Sequence, residues 1–287
     1  MGKKQKMLKF LKIFVYLGIG IALQIIFLFI ISGGVGMLFE ITHSKLLSTD
    51  IIKFKSSVEN IIKISMPLII ISSAILSNIS LIFLGRKQLQ CTVLNIREFL
   101  NINKLFIDKK LIFIVTLFAM GLSLVLSEIM GIVINIFKID ISSLDKINNI
   151  LGSFSGLIYV ILLAPILEEI IFRGIILRSL KKSFKFSTSI YISSFFFALY
   201  HMNFIKFIPI FILGYFLGYI YKKTNSLGVV IYFHMIYNLI PVAITVFRKY
   251  YNISRSYDYT LNDIAVLLFG VLLITWGVGL KKLNYIK

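Results

Sequence analysis

The chain has 287 residues, 58% of them hydrophobic, with a mean hydropathy of +0.93, and a water-soluble domain of that length cannot hide so much apolar surface. Its formal charge is +19, but the 31 lysines and arginines fall mainly between apolar runs. That arrangement suits anionic lipid head groups and cytoplasmic retention, and it argues against nucleic acid as a partner. The single cysteine, Cys91, excludes an intrachain disulfide and a cysteine-based metal cluster.

A hydrocarbon core about 30 Å thick needs about 20 apolar residues at 1.5 Å rise each. Eight runs are expected as spans, near residues 11–32, 61–84, 111–137, 152–177, 187–202, 204–221, 226–247 and 262–280. Lys3, Lys4 and Lys6 before the first run resemble the start of a signal sequence. The run is too long for a signal core and no small-residue cleavage site follows it, so an uncleaved first span is expected. Residues 86–110 are too polar to span, yet Leu89, Val93, Ile96, Leu100 and Phe106 recur at near-helical spacing, the pattern of an interfacial helix. The fifth and sixth runs are nearly continuous, which predicts a tight helical hairpin with Asn203 at the turn and Pro209 early in the returning helix.

With a cytoplasmic N-terminus, 21 of the 31 basic residues fall in or near inside segments and 9 in or near outside segments. The expectation is an all-α, polytopic transmembrane helical bundle of about eight spans. It forms one integral domain over residues 1–287, multi-pass in the cell membrane, with both termini cytoplasmic and membrane lipids as its surroundings.

Ionisable side chains inside such spans cost about 2.5–3.5 kcal/mol each on insertion scales, so each needs a reason. Glu128 lies far enough along the third run to reach the outer interface. The fourth run carries Glu168 and Glu169 in an otherwise apolar stretch. Glu169 and Arg173 are i and i+4 on one helical face, so an ion pair can hold one carboxylate while Glu168, about 100° around the helix, points elsewhere. Two of the three histidines, His201 and His234, fall in the fifth and seventh runs, with Asn238 one turn beyond His234. Counted from the basic flanks, Glu168, His201 and His234 lie at similar depths, about 16–24 Å from the cytoplasmic side.

A desolvated carboxylate can act as general base on water, an imidazole can share that task, and His with Asn can donate to the oxyanion of a tetrahedral intermediate. No Ser or Cys sits in a nucleophile motif such as G-x-S-x-G, which favours attack by water over an acyl-enzyme. Glu and His can also bind zinc, so a metallohydrolase competes with a site free of cofactors; the H-E-x-x-H signature is absent.

Three motifs, Glu168-Glu169-Ile170-Ile171-Phe172-Arg173, Phe197-Ala198-Leu199-Tyr200-His201 and His234-Met235-Ile236-Tyr237-Asn238, stand in the order EExxxR, FxxxH, HxxxN. In this the chain resembles the CAAX protease and bacteriocin-processing (CPBP, or Abi) intramembrane proteases, relatives of the Ras-converting CAAX endopeptidase. The resemblance covers residues 150–245, the expected catalytic core. It implies an intramembrane endopeptidase acting on a peptide or membrane-protein substrate. Glu168 and His201 would activate the water, His234 and Asn238 would stabilise the oxyanion, and Glu169 and Arg173 would support them. The family has been described both as metal-dependent and as glutamate-dependent, and it includes proteins implicated in bacteriocin self-immunity or scaffolding. A non-catalytic immunity or scaffold protein is therefore the second reading, and a proton-coupled transporter the third.

Overall fold

The computed structural model describes residues 3–49, 51–88, 108–139, 153–251 and 261–279. These form eight helices: α1 (Lys3–Thr49), α2 (Ile51–Gln88), α3 (Lys109–Ile136), α4 (residues 154–181), α5 (Phe186–Tyr200), α6 (Phe207–Thr224), α7 (Leu227–Tyr250) and α8 (Leu261–Gly279). No strand occurs among the described residues. Four stretches are long and apolar enough to cross a membrane by length and composition: Lys3–Phe39, Ser65–Gly85, Lys109–Ile136 and Leu227–Arg248.

The expected runs and the helices agree within a few residues from the third run onward. The first two differ: α1 continues through residues 33–49 and α2 begins at Ile51, so the described residues of the segment expected between spans are helical. Gly33, Gly34 and Gly36 cost about 1 kcal/mol each in a helix interior. The long antiparallel pairing of α1 with α2 outweighs that local preference. Most of the proposed interfacial helix, residues 89–107, lies outside the described residues, while residues 86–88 complete α2.

Helix α4 is the centre of the bundle. Ile171, Phe172, Ile175, Ile176, Leu177 and Leu180 are fully buried on it, and it touches α2, α5, α6 and α7. Lipid is as apolar as leucine, so the helices associate by close packing and interhelical hydrogen bonds instead of by expulsion of water. Glycines supply the closeness. A Cβ at Gly218 would stand 2.9 Å from Ile190, and one at Gly214 would stand 3.1 Å from Phe197 and 3.2 Å from the Ser194 backbone, so the two glycines let α6 lie against α5. A Cβ at Gly121 would stand 2.6 Å from the Gly270 carbonyl, which fixes α8 on α3.

Two prolines explain two interhelical hydrogen bonds. Pro241 lies inside α7 and has no N–H for the carbonyl of Tyr237 four residues back; Ser123 of α3 donates to that carbonyl at 2.8 Å. Pro165 follows a π-helical stretch, Tyr159–Leu163, in which Ala164 N–H bonds the Tyr159 carbonyl five residues back. Continued by one residue, that register would pair residue 165 with Val160, but proline cannot donate. The Asn238 side chain of α7 donates to the Val160 carbonyl instead, at 2.9 Å.

Candidate active site

α4 changes register twice around the paired carboxylates, with π-helix at Tyr159–Leu163, α-helix at Ala164–Glu169 and π-helix at Ile170–Leu177. Such wide turns recur at functional sites, because they redirect side chains without ending the helix. Glu169 and Arg173 keep the expected i, i+4 relation: Arg173 Nη1 donates to Glu169 Oε1 at 2.8 Å, with both side chains fully buried. Arg173 Nη2 donates to the Gly214 carbonyl at 2.8 Å. His234 Nδ1 meets the same Glu169 Oε1 at 2.9 Å. The carboxylate oxygen can only accept, so Nδ1 carries the proton and donates.

His201 ends α5. Its Nδ1 donates to the Phe197 carbonyl one turn back, at 2.7 Å. In both rings the Nδ1 hydrogen is therefore committed and Nε2 is the working nitrogen. Both Nε2 atoms face Glu168: Oε2 is 3.8 Å from His201 and 3.9 Å from His234. The structure thus brings Glu168, His201 and His234 together from three helices, with Glu169 and Arg173 directly behind. Side-chain exposure falls from 29% at His201 to 16% at Glu168 and 3% at His234, so the site is open on the α5 side. Asn238 spends one N–H on Val160, and its amide carries a second. Glu128 is half-buried on α3.

The motif position Phe197, to which the sequence alone assigned no role, is a hub. Its ring lies edge-on to His201 (4.7 Å between centroids), His234 (5.9 Å) and Phe172 (5.0 Å), and the Arg173 guanidinium sits 4.6 Å from its centroid. Gly214 is the second omission, since its carbonyl holds Arg173 and its missing side chain admits the Phe197 ring. The Gly214-x-x-x-Gly218 spacing was the signal that could have revealed the α5–α6 contact.

Zinc holds ligands about 2.0–2.2 Å away, which sets two ligand atoms on one tetrahedral ion about 3.3–3.5 Å apart. The two Glu168–imidazole distances are longer, and no three His, Cys, Asp or Glu among the described residues gather as a metal-ligand group. As they stand, these residues do not fit a zinc ion. An apolar cavity of about 250 Å³ lies between α1 and the end of α5, lined in part by Phe14, Leu17, Tyr200 and Phe204 and by none of the three facing residues.

A helical membrane bundle with a buried Glu–Arg pair behind a Glu–His–His cluster has the parts of an intramembrane protease. Residues 150–240, about a third of the chain, match the family described as type II CAAX prenyl endopeptidase Rce1-like, and the match supports assigning this segment to the CPBP and CAAX protease family. No curated protein and no solved structure matches the chain.

Proposed function

We propose that the protein is an intramembrane endopeptidase that hydrolyses a peptide bond of a peptide or protein substrate at the cell membrane, using water activated by Glu168 and His201 without a metal. The observation that carries this reading is Glu168 Oε2 facing two imidazole Nε2 atoms at 3.8 and 3.9 Å. These separations are too long for direct hydrogen bonds and suit a bridging water.

In this reading Glu168 takes a proton from the water, whose oxygen attacks the scissile carbonyl carbon while the His201 Nε2 lone pair orients it. His234, protonated at Nε2 with Glu169 on Nδ1, and the second N–H of Asn238 donate to the oxyanion. Collapse of the tetrahedral intermediate breaks the C–N bond, and Glu168 returns its proton to the leaving amine. Glu169 and Arg173 hold the His234 ring in orientation. The same reading takes all eight helices as spans, with both termini cytoplasmic.

The test is cleavage of a candidate peptide by purified protein, with and without a chelator. Cleavage that survives chelation and is lost in a well-folded Glu168→Gln variant is the expected result. Loss on chelation with recovery on adding zinc would overturn the metal-free mechanism. Full biological activity in Glu168→Gln and His201→Ala would instead overturn proteolysis as the function.

A further inference from the structure

At one end of the bundle, the start of α1 and the ends of α4 and α6 bring cations together. Lys181 Nζ lies 4.2 Å from the centroid of Phe186, and Lys222 Nζ lies 5.8 Å from the same ring. Lys222 also donates to Ser187 Oγ at 3.4 Å. Lys6 of α1 reaches over the neighbouring Phe184 at 5.7 Å. Arg178 Nε donates to the Tyr221 hydroxyl at 2.7 Å, with its guanidinium 5.9 Å from that ring. Four cations from three helices thus rest on an aromatic shelf.

The sequence has no Asp or Glu before Glu40 and none between Glu169 and Asp258. Lys6, Lys181, Lys182 and Lys222 are all exposed. Retention of basic loops on the cytoplasmic side requires charge but no particular geometry. Convergence of two lysines from different helices on one ring is a geometric feature that this requirement leaves unexplained.

We propose that this basic rim, centred on Lys181, Lys222 and the Phe186 ring, binds the phosphodiester head group of an anionic phospholipid. The position suits a lipid, because the rim lies where apolar helices end and head groups begin, and basic pockets between helices at that level select anionic head groups. The lysines neutralise the phosphate while Phe184 and Phe186 sit beside the upper part of the acyl chains. The proposal is independent of whether the bundle hydrolyses peptides.

The experiment compares intact protein in nanodiscs of phosphatidylcholine with and without phosphatidylglycerol, reading thermal unfolding and the phospholipid retained on detergent extraction. Wild-type protein is expected to retain phosphatidylglycerol and to unfold at higher temperature with it. The Lys181→Gln/Lys222→Gln variant should bind it about fivefold more weakly per lysine removed. Lys181→Arg/Lys222→Arg should keep the preference, and the charge-matched control Lys109→Gln/Lys138→Gln should behave as wild type. Equal loss in the control would overturn the site in favour of general surface charge. Absence of any phosphatidylglycerol preference would overturn it outright, and full reproduction of the stabilisation by millimolar inorganic phosphate would assign the rim to a soluble anion instead.

Discussion

Glu169 and His234 stand 65 positions apart in the chain and meet at 2.9 Å, on the same carboxylate oxygen that receives Arg173. Neither Glu169 Oε2 nor Arg173 Nε has a hydrogen-bond partner among the described residues, so the group is not arranged to maximise bonding. Removing one member of a buried pair costs about 3–5 kcal/mol, whereas replacing both with apolar residues of similar volume is often neutral. Glu169→Leu is therefore expected to destabilise strongly, and Glu169→Leu/Arg173→Met to recover most of that loss. Cleavage should stay abolished in the double variant, because His234 has lost its anchor. Unfolding in detergent and peptide turnover, measured side by side, decide it; a double variant with wild-type turnover would show that the pair orients nothing.

Phe197 touches both histidines and Arg173. Phe197→Leu keeps an apolar side chain of comparable bulk and is expected to cost about 1–1.5 kcal/mol of stability. Turnover should fall by a larger factor than that cost explains, at least about tenfold, through kcat more than through KM. Equal changes in kcat and stability across a Phe197 series would reduce its role to packing.

The Ser123–Pro241 relation is testable without touching the proposed site. Ser123→Ala leaves the Tyr237 carbonyl without its donor and should cost about 0.5–1.5 kcal/mol. Pro241→Ala supplies a backbone N–H to the same carbonyl, so the Ser123 deletion should cost less in that background. A double-mutant cycle should give a coupling of at least about 0.5 kcal/mol, and strict additivity would refute the relation.

Glycines in this chain are not equivalent. Gly214→Val places atoms against Phe197 and the Ser194 backbone and should destabilise by about 1–3 kcal/mol while moving the carbonyl that holds Arg173. Gly33→Ala meets nothing within 4 Å and should stabilise α1 by about 0.5–1 kcal/mol. Thermal unfolding of the two variants tests the contrast, and similar effects from both would mean that the α5–α6 contact is looser than described.

Local relationships were the most readable from sequence. The Glu169–Arg173 pair is fixed by helical spacing alone. The turn between α5 and α6 followed from residue chemistry: Asn203 Oδ1 accepts the Lys206 N–H at 3.0 Å, and Pro209 sits in the first turn of α6, where its missing N–H costs nothing. Depth counting brought Glu168, His201 and His234 to one level because each helix rises by a constant step. Relations that depend on distant segments were not readable. The Val160–Asn238 bond joins residues 78 apart. The π-helical stretches of α4 have no hydrophobic period of their own, and the length of α1 is set by pairing with α2 more than by its own glycines.

α5 has 15 residues, a rise of about 22 Å against a hydrocarbon thickness of about 30 Å. If Lys185 at its start lies at the membrane surface, the turn after His201, with Met202 at φ +50°, stops short of the opposite surface. Irregular backbone facing lipid leaves amide groups unpaired and is not tolerated there. Either the bilayer thins around this turn or a wet indentation reaches down to it. Both bring bulk water to the most exposed of the three facing residues, so a short helix can supply the second substrate of a hydrolysis inside an otherwise dry protein.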